Sequence, residues 1–293
     1  MEIFIKHLFH KSALESGNNQ FPMIDLHCHI LPAVDDGPET MAESMAMCRI
    51  SFRDGIRTVL ATPHTLNGVY QNDRSTILAK VRELNRAIAE CGLQNADCEV
   101  QESDSLSSVR SKNPMAQSLN NLITLRILPG ADVHFSTELL NQIDEGKALT
   151  IRDGGKYLLL EFPFQGIPKG VEEILFQLMV KGIIPIISHP ERNLEIIFKT
   201  QRYIEMVRMG CLGQVTAMSL TGEFGEEVKR VADKLLQAGL VHIIASDAHS
   251  QNNRPPVLSS AVQAAARIVG KDEACRMVTE YPQAVLDGQR LNI

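Results

Sequence analysis

The sequence predicts an α/β chain built as a closed or nearly closed parallel barrel. Seven short β-branched apolar runs alternate with stretches of helical spacing within 293 residues. Several helical stretches stop at glycine, and nearly every apolar run ends at a side chain able to bind a metal. In parallel barrels the reacting groups come from the C-terminal ends of the strands, so the last observation carries a functional expectation too.

In chain order, residues 1–22, MEIFIKHLFHKSALESGNNQFP, read as an N-terminal extension ahead of a domain spanning 23–293. Their charges, Glu2, Lys6, Lys11 and Glu15, are mixed in sign and no small-residue cleavage pattern follows, so secretion is not expected. Either Met23 is an alternative start, or the extension is a short helix docked on the domain or on a neighbouring subunit of a homo-oligomer. The expected strands are Ile24 to Leu26, Arg57 to Ala61, Thr124 to Leu128, Tyr157 to Leu160, Ile183 to Ile187, Leu212 to Thr216 and Val241 to Ala245. The expected helices are Thr40 to Asp54, Ser75 to Cys91, Val171 to Lys181, Thr200 to Met209 and Glu226 to Ala238, followed by Gly55, Gly92, Gly182, Gly210 and Gly239. Residues 95–121, NADCEVQESDSLSSVRSKNPMAQSLNN, have no sustained apolar period and read as a mobile surface insertion.

Composition narrows the function. A chain that is 44% hydrophobic and 22% charged can bury a full core, and a net charge of -6 argues against a surface built for nucleic acid. No apolar run approaches the roughly 20 residues of a membrane span. The six cysteines include no C-x-x-C pair, a pattern of reduced, mostly buried thiols in a cytoplasmic protein.

The segment IDLHCHI sets Asp25, His27 and His29 at alternate positions, so an extended chain shows all three on one face and Leu26 and Cys28 on the other. Two imidazoles so spaced can share a divalent metal, and Asp25 could orient one or bind directly. Other run ends deliver His64 (TVLATPH), Asp132 (RILPGAD), Glu161 (YLLLEF), His189 (IPIISHPER), and Asp247 with His249 (VHIIASDAH). Singly, each could be a satisfied core residue or a cap. Jointly that is improbable, because unpaired polar groups at so many strand ends would cost burial energy. The remaining histidines, His7, His10, His134 and His242, read as structural or surface residues.

Eight ligand candidates exceed the four that one zinc usually takes and suit two or three metals bridged by carboxylates. Imidazole and carboxylate without thiolate favour manganese, iron or zinc. Arg192 and Arg254 follow two of the ligand loops, where planar guanidiniums could hold phosphate oxygens. A proton for a leaving group could come from His249 or from Asp35. No cysteine has arginine six positions later, so a C-x5-R thiolate phosphatase is excluded and metal-activated water is the expected nucleophile.

The order MIDLHCHILPAVDDG, ATPHTLNGVY, PGAD, LLEFPF, ISHPERN and ASDAH closely resembles the polymerase-and-histidinol-phosphatase (PHP) superfamily. Within it, the likeness is to bacterial manganese-dependent protein-tyrosine phosphatases of capsule and exopolysaccharide operons, the CpsB/CapC type. The resemblance implies a distorted seven-stranded (β/α) TIM-like barrel with a trinuclear site at the C-terminal strand ends. It implies Mn2+ as the metal, and as partner the phosphotyrosine tail of a membrane-associated tyrosine autokinase. Carried over by residue, the ligands are His27, His29, His64, Glu161, His189, Asp247 and His249, with Arg192 and Arg254 on phosphate. The family usually has glutamate where this chain has Asp132, which puts full metal occupancy there in question.

Three other readings make different predictions. A PHP phosphatase of a small ester such as histidinol phosphate would turn over that ester and little phosphotyrosine peptide. An amidohydrolase often carries a bridging lysine where this chain has Glu161. A non-catalytic, metal-stabilised regulator, inactivated through Asp132, would bind the kinase tail without hydrolysis.

Overall fold

A computed structural model describes residues 22–91, 93 and 124–291. The expected extension, Gly92 and the expected insertion at 95–121 lie almost wholly outside these residues. The architecture is mixed α/β with every strand pairing parallel. One sheet has the order β1 (Met23–Cys28), β2 (Ile56–Ala61), β4 (Arg126–Pro129). The other runs β3 (His64–Thr65), β5 (Asp132–His134), β6 (Tyr157–Glu161), β7 (Ile184–Ser188), β8 (Leu212–Thr216), β9 (Ile243–Ala245).

All seven expected runs are strands, and two short ones are added because the runs at 56–65 and 126–134 are each interrupted. Pro63 has no N–H to donate, yet its carbonyl accepts from Asp132 N, while Gly130 N donates to Ala61 O. The two sheets are therefore joined by backbone bonds across the interruption. Gly130 is needed there, since a Cβ would lie 2.9 Å from the Leu60 side chain. At the other flank, Asp247 N donates to His27 O and His29 N to Ala248 O, tying the segment after β9 to the end of β1.

Apolar residues separate into two clusters. Ile24, Leu26, Leu60, Leu128, Tyr157, Leu159, Ile186, Leu212 and Ile243, from seven strands, pack together. The larger cluster sits between the sheets and the helices. The five expected helices form within a residue or so of their expected ends. The Met41–Arg53 helix starts from a capping box, with Thr40 Oγ1 accepting from Glu43 N and the Glu43 carboxylate accepting from Thr40 N. Three further helices, Ser259–Val269, Lys271–Arg276 and Glu280–Leu286, close the C-terminal end of the chain. No described helix is long and apolar enough to cross a membrane.

One expectation about β1 is corrected. The β1–β2 register shifts between Asp25 and Cys28, which breaks the strict alternation. Leu26 joins the inner cluster and Cys28 the outer one, so they do not share a face. Asp25 is not among the grouped donor atoms, although its Oδ1 accepts from His27 N at 3.3 Å. Its carboxylate accepts from Ser246 N at 2.9 Å and Ser246 Oγ at 2.5 Å, which fixes the turn carrying Asp247.

Candidate metal centre

The eight residues expected as ligands converge: six lie at or shortly past the C-terminal ends of strands, while His64 and Asp132 open the short β3 and β5 just past β2 and β4. His27 and His29 come from β1 and the residue after it, His64 from β3, Asp132 from β5 and Glu161 from β6. His189 follows β7, and Asp247 and His249 follow β9. Their donor atoms fall into overlapping groups: His27, His29 and Asp132; His64, Asp132 and Glu161; and His29, His64 and His249 with Asp36. Asp247 Oδ1 lies 3.4 Å from His27 Nε2 and 3.6 Å from His29 Nε2, and His189 Nε2 lies 3.5 Å from Glu161 Oε1. His189 (φ 34°) and Asp247 (φ 51°) both sit in the left-handed region, a strained backbone that turns each side chain back toward the cluster.

The histidine tautomers are set from behind. His27 Nδ1 donates to Gln214 Oε1 at 2.9 Å, and His29 Nδ1 donates to Asp35 Oδ2 at 2.6 Å. Asp35 also accepts from His64 N and Gly37 N, so both its oxygens are engaged. Gly37 permits this fold of the loop, since a Cβ there would stand 2.5 Å from His29 O. His249 Nδ1 donates to Asp247 O at 2.9 Å. With the Nδ1 atoms of His27 and His29 committed, their Nε2 atoms carry lone pairs, and these face each other at 3.2 Å.

That arrangement fits cations and little else. Around the His27–His29 pair stand Asp247 Oδ1 and, at 3.6 Å from His27, Asp132 Oδ2. These are acceptors facing acceptors. Asp132 Oδ2 and His64 Nδ1 are buried 3.5 Å apart with no hydrogen-bond partner. Ligand atoms about 2.1 Å from a shared cation are separated by roughly 3.0–3.4 Å, close to the spacings here. The donor set of imidazole and carboxylate matches manganese, iron or zinc.

Burial holds His27 near a pKa of about 3, opposed in part by Asp247 and reinforced by His189, and pushes His29 well below the ordinary histidine value. Both stay neutral and available as ligands. Burial, then the charges of Glu161 and Asp247, raises the Asp132 carboxyl well above the usual range. Burial acts the same way on Glu161, but hydrogen bonds from His134 and His189 and nearby histidine charge outweigh it and hold that carboxyl low. Asp247 is also held low against burial, chiefly by Arg192, His27 and Arg254.

Both arginines end on one atom. Arg192 Nη2 lies 2.8 Å and Arg254 Nη2 2.7 Å from Asp247 Oδ2, the oxygen turned away from the histidines. Burial disfavours the thiolate at three cysteines, raising Cys28 well above its ordinary value and pushing Cys48 and Cys211 up to about 12.

Sequence reasoning missed four neighbours of the cluster. His134, read as structural or surface, has Nδ1 3.3 Å from Glu161 Oε2; its position two after Asp132 on a strand was the available signal. Asp36 lies with Oδ1 3.5 Å from His249 Nε2 and 3.8 Å from His64 Nε2, beside the Asp35 that was considered. Gln214, a lone amide in an otherwise apolar strand, sets His27. Glu191, fully buried, accepts from Thr216 N and Ser219 Oγ and locks the turn that carries Arg192.

A parallel α/β fold with imidazoles and carboxylates gathered near its strand ends is the architecture expected of a metal-dependent hydrolase. The family model described as "Capsular polysaccharide synthesis, CpsB/CapC" matches residues 23–103 and 95–287, and the chain belongs to that family. The tyrosine-protein phosphatase YwqE of Bacillus subtilis is 34% identical over 269 residues, 92% of this chain and 93% of the relative. The tyrosine-protein phosphatase CpsB of Streptococcus pneumoniae is 27% identical over 275 residues, 91% of this chain and 99% of the relative. A crystal structure from work on YwqE and CpsB, described there as unique metal-dependent tyrosine phosphatases, aligns with TM-score 0.76 and 34% identity. That alignment covers 91% of this chain and 95% of the other. The chain is a phosphatase of this family.

Proposed function

We propose that the chain hydrolyses phosphotyrosine on a bacterial tyrosine autokinase that controls capsular or exopolysaccharide synthesis, in the cytoplasm and with manganese as metal. The observation that carries the reading is the convergence of His27, His29, His64, Asp132, Glu161, His189, Asp247 and His249 beside an arginine pair. The distorted seven-stranded barrel supplies the frame; its support is the inner apolar cluster drawn from seven strands and the backbone bonds between residues 247–248 and 27–29.

Those eight side chains would hold two or three divalent cations. When bound, such cations supply a water acidified toward neutral pH and polarise phosphoryl oxygens. The protein's own groups do the rest. Arg192 and Arg254 orient the phosphoryl group from the side of Asp247 away from the histidines. A cleft of about 260 Å³ lined by Glu161, His189, Arg192 and the exposed Phe164 admits an aryl group beside them. Tyrosine leaves as a phenol with pKa of roughly 10, which lowers the demand for a general acid. Of the two proton sources considered, Asp35 has both oxygens engaged and His249 gives its Nδ1 hydrogen to Asp247 O, so the low basicity of the departing phenolate carries more of the step than either side chain.

The test compares a phosphotyrosine peptide, a phosphoserine peptide and histidinol phosphate, each with manganese and with chelator. Preference for phosphotyrosine, lost on chelation, is expected. Faster turnover of histidinol phosphate would replace this reading with a small-molecule phosphatase, and binding of the peptide without hydrolysis at any metal would replace it with a regulator.

A further inference from the structure

Phe224 packs in neither apolar cluster, although it is a large, part-buried aromatic. Its ring lies instead against the two arginines, with its centroid 5.2 Å from Arg192 Cζ and 5.7 Å from Arg254 Cζ. The segment that carries it is held firmly. Glu223 N donates to Met218 O, Gly225 N to Gly222 O and Lys229 N to Gly225 O. Gly222 (φ 99°) and Gly225 (φ 94°), on either side, take backbone conformations that residues with a Cβ rarely adopt. The helix before it, Ala217–Thr221, is fastened through Ser219 Oγ to Glu191, the residue next to Arg192.

We propose that Phe224 is a positioning residue for phosphate recognition: its ring is the common platform that keeps Arg192 and Arg254 side by side and aimed at one phosphoryl group. The inference rests on the arginine role given above. The guanidiniums reach the same Asp247 oxygen and carry like charge, so nothing in their mutual interaction keeps them together. An aromatic face attracts both cations without competing with phosphate for their N–H groups, which a second carboxylate would do. Arg254 Nε is buried without a hydrogen-bond partner, so the ring and Asp247 are what hold that side chain among the described residues.

The test uses manganese-loaded full-length protein and two variants, Phe224→Leu and Phe224→Tyr. The first keeps apolar bulk and removes the π face; the second keeps the ring. Inorganic phosphate binding is measured by calorimetry, and KM and kcat with p-nitrophenyl phosphate. A cation–π contact at a part-exposed site is worth about a twofold to fivefold factor. Phe224→Leu removes two such contacts and is therefore expected to weaken phosphate binding and raise KM about fourfold to 25-fold, with kcat within about twofold of wild type. Phe224→Tyr is expected to match wild type within about twofold throughout. Unchanged phosphate affinity in Phe224→Leu, or a Phe224→Tyr variant as impaired as Phe224→Leu, would overturn the proposal. If wild type binds phosphate yet hydrolyses no phosphotyrosine peptide, the functional reading fails while the phosphate-affinity ratio still decides the role of Phe224. Wild type that binds no phosphate overturns both.

Discussion

Asp132 Oδ2 lies 3.6 Å from His27 Nε2 with both side chains fully buried and no hydrogen bond between them. The carboxylate is kept there against burial and against the charges of Glu161 and Asp247. A group whose carboxyl is raised in the folded protein costs stability once ionised, so its charge is a burden without metal. Asp132→Asn keeps the volume and removes the charge. Metal-free Asp132→Asn is expected to melt about 2–3 °C above metal-free wild type, for about 1–2 kcal/mol of relieved desolvation and repulsion. The order should reverse with manganese, because metal in excess of its dissociation constant by 100-fold stabilises wild type by about 2.7 kcal/mol and the variant by less. Calorimetry of both proteins, with metal and with chelator, checks this; a variant that gains as much from metal as wild type would remove Asp132 from the ligand set.

The arginine pair makes a prediction about geometry rather than charge. Arg192→Lys keeps the positive charge but loses the planar fork that can meet two oxygens at once. A loss of about 10-fold to 100-fold in kcat/KM for phosphotyrosine peptide is expected, with metal content unchanged. Steady-state kinetics with metal analysis measures both. Unimpaired kinetics would mean that Arg192 serves only to neutralise Asp247.

His242, away from the cluster, gives a pH dependence that does not involve metal. Burial lowers it to about 4, and its Nδ1 accepts from Gly213 N at 3.0 Å. The native imidazole stays neutral, whereas the unfolded one protonates near pH 6.5. Stability is therefore unaffected above about pH 6.5 and lost as pH falls toward 4, by about 3 kcal/mol for this group. Urea unfolding of metal-free wild type and His242→Asn, which retains an acceptor, is expected to show a smaller loss in the variant. Parallel loss in both proteins over that range would show that His242 does not titrate on unfolding.

The strands and the residues that gather into the candidate metal cluster were legible because they obey local rules. Apolar runs of the right length stop at His64, Asp132, Glu161, His189 and Asp247, and no core packing requires such residues there. What escaped depends on contacts across the fold. The shift in β1 register and the bond from Ser246 to Asp25 arise from pairing with β2 and with the segment after β9, and leave no mark on IDLHCHI itself. His134 reaches Glu161 from the neighbouring strand, and Phe224 meets Arg192 and Arg254 from a loop with no apolar period to announce it. The interruptions at Pro63 and Gly130 were readable as punctuation, but their effect, dividing the strands between two sheets, was not.

The central claim is that hydrolysis runs on cations held by the facing Nε2 atoms of His27 and His29 and the carboxylates around them. It is tested most directly by stripping the protein with chelator, titrating manganese back and following both bound metal and phosphotyrosine-peptide turnover. No turnover is expected in the stripped protein, followed by a rise that saturates at two or three metals per chain. Full turnover by protein that retains no metal would contradict it.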